Sequence, residues 1–187
     1  MNQKKIIGIV ASPRVDGNTQ KLVELILDSG VENGAETKIF NLNEMDIKGC
    51  QSCYHCKTTD EDCAVKDDIL QLFEEIKHSD AVIIGTPIYF GQMSAQLKIF
   101  IDRHFSQIGS DFKSKLGRKD LVLVFTQGNP NIDQFKQYIE YTSNLFNRLS
   151  YKLKDLIIAP GVRRRGAIYK ETLLVQKAKE IGEKLAK

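Results

Sequence analysis

The chain reads as an α/β protein, a five-stranded parallel sheet with helices on both faces, for three reasons. Short apolar runs alternate strictly with amphipathic stretches from residue 4 to residue 186. The run at residues 81–86 is apolar throughout, as a strand covered on both faces should be. No internal repeat, low-complexity tract or Pro/Gly-rich linker breaks the alternation, so residues 1–187 form one domain with a cysteine-rich insert at about residues 47–66. Right-handed β–α–β crossovers then make the sheet parallel.

Residues 4–11, with Ile6, Ile7, Ile9 and Val10, form the first strand. Leu22, Val23, Leu25 and Ile26 put one apolar face on a helix over residues 19–33, stopped by Gly34. A second strand covers residues 37–41. Asp67 is the expected cap of a helix running through Ile69, Leu70, Leu72, Phe73 and Ile76. After the third strand at 81–86, Ser94 opens a helix through Phe105. A fourth strand at 121–126, a long helix at 132–149, a fifth strand at 156–159 and a last helix at 172–186 complete the pattern.

Composition narrows the function classes. Hydrophobic residues at 42% and charged residues at 27% are ordinary for a globular chain, and a net charge of +3 is too small for a nucleic-acid surface. No stretch approaches the ~20 apolar residues needed to span a bilayer. The first apolar run is shorter than a signal-peptide core. All four cysteines fall in one short window without an export signal, which predicts a reducing, cytoplasmic setting rather than a disulfide framework.

In an open α/β sheet, ligands bind beyond the carboxyl ends of the strands. The loop after the first strand reads Ser12-Pro13-Arg14-Val15-Asp16-Gly17-Asn18-Thr19. Its hydroxyls at Ser12 and Thr19, the Asn18 amide, flexible Gly17 and the helix start suit a phosphate, although a plain βα turn uses the same residue types. It is neither a Walker A loop nor the dinucleotide glycine fingerprint. After the third strand, Pro87-Ile88-Tyr89-Phe90-Gly91 offers two aromatics and a close-approach glycine to a planar heterocycle, or else packs under a helix. After the fourth, Thr126-Gln127-Gly128 offers polar groups to a ring edge.

The cysteines, Cys50, Cys53, Cys56 and Cys63, are spaced C-x2-C-x2-C-x6-C. Four thiols in fourteen residues suit an iron–sulfur cluster, a zinc ion or a redox pair, and unliganded thiols stay open as well. His55 lies inside this window and reads as a solvent-facing loop residue. Arg163-Arg164-Arg165 reads as a solvated loop or a contact for an acidic group, and Lys113, Lys115, Arg118 and Lys119 as a surface basic stretch.

Together the text Gly8-x3-Ser12-Pro-Arg-x2-Gly-Asn-Thr19, then Gly85-Thr-Pro-Ile-Tyr-Phe-Gly91, then Gln96-Leu-Lys98-x-Phe-x-Asp102-Arg103 resembles the flavodoxin-like NAD(P)H-dependent FMN reductase superfamily. The cysteine window followed by Lys66-Asp67-Asp68 resembles its iron–sulfur flavoprotein branch. The resemblance spans essentially residues 4–130. It implies a flavodoxin-like sheet and an FMN oxidoreductase fed by NAD(P)H or a ferredoxin-like donor. By position it assigns the FMN phosphate to Ser12, Arg14, Gly17, Asn18 and Thr19. It assigns the flavin ring to Pro87, Ile88, Tyr89, Phe90 and Gly91, and the ring's pyrimidine edge to Thr126, Gln127 and Gly128. It gives a [4Fe–4S] cluster to the four cysteines and implies a homodimer or homotetramer. Hydride transfer needs no side-chain acid or base, so no catalytic residue is assigned. A non-enzymatic flavodoxin-type electron carrier, or an FMN or quinone reductase whose cysteines hold no cluster, is the competing reading. A receiver-type signalling domain is excluded, because Ser12 stands where acidic residues would be needed.

Overall fold

Alternation along the strands divides the core between two faces of one sheet. The computed structural model describes residues 3–187 apart from Asp60, Ser110 and Phe112. Strands β1 (Lys5–Val10), β2 (Glu36–Asn41), β3 (Ala81–Tyr89), β5 (Lys119–Thr126) and β6 (Tyr151–Ala159) are parallel in the order β2-β1-β3-β5-β6. A two-residue strand β4 (Gln92–Met93) turns back antiparallel onto the end of β3 and lies outside the five-strand expectation.

Ile6, Val10, Ile83, Val122 and Val124 face one way, against Leu22, Val23, Ile26 and Leu27 of α1 (Asn18–Glu32) and Ala178 and Ile181 of α6 (Thr172–Leu185). Ile7, Ile9, Val82, Ile84, Leu121, Leu123 and Phe125 face the other way. They meet α3 (Ile69–Lys77), α4 (Ala95–Arg103) and α5 (Lys136–Arg148) through Leu72, Phe73, Leu97, Phe100 and Phe146. Each such side chain, fully buried, contributes roughly 1.5–3 kcal/mol before chain entropy is set against it. A further four-residue helix, α2 (His55–Thr58), lies within the cysteine window.

Close approach of α1 to the sheet requires glycine at Gly85, where a Cβ would stand 2.7 Å from Val23 Cγ2 and 2.9 Å from Thr19 Cγ2. That contact brings the start of α1 over the carboxyl ends of β1, β3 and β5.

Several local expectations are corrected. Asp67 does not cap α3: the N-cap is Asp68, without a side-chain cap bond, and its carboxylate accepts from the Asp46 N–H at 2.8 Å. Ser94 does cap α4, accepting from the Leu97 N–H at 3.3 Å, but that helix ends at Arg103 and continues as a 3-10 turn over His104–Gln107. The long helix expected from residue 132 starts as a 3-10 turn, Ile132–Phe135, before α5. Lys119 is buried rather than part of a surface stretch, and its Nζ donates to the Lys77 and Ser79 carbonyls at 2.7 Å each.

His104 is buried between Phe73 and Phe100, with ring nitrogens 2.8 Å from the Phe100 carbonyl and 2.9 Å from the Tyr151 hydroxyl. Burial pushes its pKa down to about 4. The unfolded chain therefore takes up a proton near pH 6.5 that the folded chain refuses, and stability falls as pH drops from that point toward the folded value. Urea unfolding should show about 2 kcal/mol lost from this group between pH 6.5 and 5. The same titration of His104→Gln should have a shallower slope; an equal slope would contradict the assignment.

Candidate functional site

The polar loops at the carboxyl edge of the sheet enclose one cleft of about 300 Å³. Its first wall is the turn from β1 into α1. Ser12 Oγ accepts from the Arg14 N–H at 3.3 Å, and the Arg14 carbonyl accepts from the Gly17 N–H at 3.1 Å, so the turn folds back on itself. Gly17 is the N-cap of α1 and supplies no side-chain cap. The first intrahelical bond here is Lys21 N–H to the Gly17 carbonyl, leaving the N–H groups at the head of the helix pointing into the cleft region without helical acceptors. Such a helix start attracts an anion.

Thr19 and Thr126 stand hydroxyl to hydroxyl at 2.7 Å, both buried, and join α1 to the end of β5. One proton serves that bond, so the pair retains a second for a ligand. Asn18 behaves differently from the expectation that its side chain meets a phosphate. Its Nδ2 donates to the Val162 and Arg164 carbonyls at 3.0 and 2.8 Å, and its Oδ1 accepts from the Ile168 N–H at 3.2 Å. The side chain clamps the loop after β6, leaving the backbone N–H as what Asn18 offers the cleft.

The second wall comes from β3, which extends further than the sequence suggests and carries Pro87, Ile88 and Tyr89 along the cleft. Ser94 holds the returning chain, with its Oγ donating to the Ala11 carbonyl at 2.5 Å and its N–H to Thr86 Oγ1 at 3.2 Å. Phe90 and Gly91 do not line the cleft. They form the tip of the β3–β4 hairpin, both with left-handed backbone, φ 48° and 81°, and Phe90 is fully exposed.

The third wall is Thr126, Gln127 and Gly128. Gln127 Nε2 donates to the Asn129 and Asn131 carbonyls at 3.1 and 2.7 Å, which fixes the amide's orientation and leaves its buried Oε1 without a donor. Val162 and Arg163 complete the cleft and were not expected there. Arg163 Nε donates to the Gly128 carbonyl at 2.7 Å, and Arg14 Nη1 to the Arg163 carbonyl at 3.0 Å. The position of the arginine run after the fifth strand was the only signal for Arg163; Val162 had none.

All four cysteines line a second, smaller cavity, together with Tyr54, Arg103 and Phe105. They are free thiols, exposed at Cys50 and Cys53, half-buried at Cys56 and buried at Cys63. Among the described residues no group of three His, Cys, Asp or Glu side chains is placed to hold one metal ion. Ser52 and Tyr54, on either side of Cys53, have left-handed backbone at φ 51° and 59°. Non-glycine residues adopt this region at a cost that persists where surrounding contacts enforce it. Here Tyr54 packs edge-on against Phe105 at 5.6 Å, and Lys57 Nζ donates to the Phe105 and Ile108 carbonyls. His55 pairs with Glu61 at 3.0 Å at the surface.

Arg103 organises the window. Its side chain is entirely buried and forms an ion pair with Asp67, buried likewise, at 2.5 Å. Its Nη1 also donates to the Lys48 carbonyl at 2.8 Å and its Nη2 to the Val65 carbonyl at 2.9 Å, so one side chain ties the chain on both sides of the cysteines. Asp67 further accepts from the Lys48 N–H at 2.9 Å. Burial is the largest single influence and opposes the charge on each partner. Their mutual hydrogen bond and attraction, with the Lys48 and Ile69 N–H groups at Asp67 and the Cys63 thiol at Arg103, together outweigh it and hold Asp67 below and Arg103 above its ordinary pKa.

Three buried side-chain polar atoms lack a hydrogen-bond partner among the described residues: Gln127 Oε1, Arg103 Nε and Asp67 Oδ1. A buried unpaired polar atom costs roughly 1–3 kcal/mol, and such atoms concentrate where a ligand is missing or strain has a use. One belongs to the cleft, and two to the pair beneath the cysteines.

The family model described as NADPH-dependent FMN reductase matches residues 4–132. An iron–sulfur flavoprotein of Methanocaldococcus jannaschii is 39% identical over 114 residues, 60% of this chain and 58% of that protein. One from Archaeoglobus fulgidus is 38% identical over 127 residues, 68% of this chain and 61% of the relative. The matches thus span about three fifths of the length of these relatives. An NAD(P)H:quinone oxidoreductase from Methanothermobacter marburgensis superimposes with a TM-score of 0.77 at 16% identity, covering 98% of each chain, a likeness of fold.

Removing one partner of the Arg103–Asp67 pair should cost about 3–5 kcal/mol, because the other charge stays buried and unmatched. Asp67→Ala should therefore lower the urea midpoint sharply, whereas Asp102→Ala, which breaks an exposed pair with Lys98, should move it by under about 1 kcal/mol.

Proposed function

The chain belongs to the NADPH-dependent FMN reductase family, and from that premise we propose that it binds FMN in the cleft and acts as an NAD(P)H-linked oxidoreductase. The observation that carries the reading is one cleft whose lining supplies both kinds of contact FMN needs: the uncapped start of α1 with Ser12, Arg14 and Thr19 for a phosphate, and the polar strand end Thr126, Gln127 and Gly128 for the heteroatoms of a ring. Pro87, Ile88 and Tyr89 supply an apolar wall.

In this reading Ser12, Arg14, Thr19 and the N–H groups from Gly17 onward hold the phosphate. Asn18 contributes its backbone N–H while its side chain fixes the neighbouring loop. Thr126, Gln127 and Gly128 meet the pyrimidine edge. Bound FMN supplies a ring that accepts a hydride and can release electrons singly. The chain's own part is to hold and orient the cofactor and keep water from one side of it. Arg163, at the cleft, adds positive charge for a phosphate-bearing donor.

We propose further that Cys50, Cys53, Cys56 and Cys63 hold a [4Fe–4S] cluster. Four thiols around one cavity are the right donor set. A single tetrahedral zinc with ~2.3 Å bonds would draw its sulfurs to roughly 3.8 Å of one another, whereas a cubane takes one thiolate per iron and spreads them. Helix α4 links the two regions. It begins at the Ser94 cap beside the cleft loops and ends at Arg103, nine residues or about 13 Å along. On the family resemblance we propose at least a dimer, with the exposed hairpin tip at Tyr89 and Phe90 as a surface that a second copy would cover.

Losing one buried hydroxyl partner costs about 1–3 kcal/mol, so Ser12→Ala and Thr19→Val should each weaken FMN binding about tenfold or more in a fluorescence titration. Unchanged affinity in both would contradict the phosphate assignment. Cys53→Ala should lose iron after anaerobic reconstitution while keeping FMN. Anaerobic stopped-flow mixing with NADPH, NADH and reduced ferredoxin separates an enzyme from a carrier, since a carrier is reduced by ferredoxin alone. Light scattering of FMN-loaded protein should exceed the monomer mass of 21.2 kDa.

A further inference from the structure

We propose that Arg103 is a positioning residue that sets the reduction potential of the sulfur centre, a fixed buried cation whose free Nε–H is directed to sulfur in the cysteine cavity. The proposal rests on the cluster reading above. Arg103 lines the cavity with Cys50, Cys53, Cys56 and Cys63, and its side chain is wholly shielded from water. Nη1 is engaged by Lys48 and Asp67 and Nη2 by Val65, so among the described residues Nε–H is the buried donor left without a nitrogen or oxygen partner, and the Cys63 thiol is the sulfur that interacts with the guanidinium. Helix packing alone would not leave a guanidinium N–H unmatched beside four sulfurs. A neutral thiol is a poor acceptor, while thiolate or bridging sulfide is an anion that charge-assisted donors match well.

The placement also explains the construction around it. Asp67 balances the guanidinium's charge at Nη1, and the Lys48 and Val65 carbonyls fix its plane. A cation so held cannot swing away when charge changes. Four thiolates give a bound cluster net negative charge that grows when one electron is added, with no bond made or broken. A nearby cation and a hydrogen bond to sulfur therefore favour the reduced form and raise the potential.

The test is an anaerobic redox titration of reconstituted protein, with dithionite as the electron source, read by electron paramagnetic resonance beside an iron assay. Two variants are compared with the unmodified chain. Arg103→Lys keeps the charge but loses the Nε–H, and the paired Arg103→Gln with Asp67→Asn removes both buried charges without stranding either. Both should retain about four irons per chain, as the cluster type requires. The paired variant should shift the redox equilibrium at least tenfold toward the oxidised form, about 59 mV more negative for one electron. Arg103→Lys should shift it less, in the same direction.

Iron retained at an unmoved potential in both variants would leave Arg103 a clamp of the chain and overturn the proposal alone. An unmodified chain that takes up no iron would overturn the cluster reading and this proposal with it. If neither variant holds iron, the Nε–H resonance of 15N-arginine-labelled unmodified protein decides. It should shift for Arg103 on cluster loading, and an unshifted signal would overturn the proposal.

Discussion

The close approach of α1 to the sheet is the constraint from which the cleft follows. With no side chain at Gly85, Val23 and Thr19 come down onto β3, and Thr19 reaches the end of β5 to share a hydrogen bond with Thr126. The head of α1 is thereby fixed at the point where β1 and β3 diverge to opposite sides of the sheet, the usual ligand position in open α/β folds. Asn18 extends the same device in the other direction. Its side chain joins the helix start to the loop after β6, and so brings Val162 and Arg163 to the cleft from the far end of the chain.

The cysteine region obeys a different logic. It has almost no apolar core of its own, and its order comes from polar contacts to α4 and the turn after it. The Arg103–Asp67 pair joins the approach to Cys50 with the departure from Cys63, while Lys57 and Tyr54 dock the short α2 on the segment from Phe105 to Ile108. A buried ion pair is a weak device for stability taken alone, because desolvation offsets most of its attraction. What the pair does in the structure is geometric: it holds the Lys48 and Val65 segments on the two sides of the cysteine loop to one side chain of α4.

Much of this was legible in the sequence because parallel sheets announce themselves. The continuous apolar run of β3, the amphipathic α1 and the polar loops at strand ends each follow from local pattern, and eleven of the thirteen residues expected at the cofactor cleft line it. What was missed depends on partners distant in sequence. Phe90 and Gly91 were placed with the ring as an aromatic and a close-approach glycine in a motif resembling the family's, but β4 turns the chain back just there and they do not line the cleft. Tyr151–Ala159 was shortened because Lys152, Lys154 and Asp155 break the apolar run on a strand with one free edge. Asp67 looked like a helix cap, and nothing local discloses that its partner is Arg103, 36 residues on. Arg103 stands in the sequence as the last residue of a family-like motif on a helix expected to run through Phe105, and nothing local points to the cysteine window.

One fold thus presents two polar depressions with α4 running between them, and of the buried polar atoms without a partner among the described residues one lies at the cleft and two in the Arg103–Asp67 pair. The account's central claim is that both are cofactor sites on one electron path. The most direct measurement is the absorption spectrum of anaerobically reconstituted protein, with flavin and iron quantified in the same sample. The account predicts one FMN and about four irons per chain, with flavin bands over a broad iron–sulfur shoulder that bleaches when the flavin is reduced. Protein that binds neither group, or flavin whose reduction leaves the iron–sulfur absorption untouched, would contradict it.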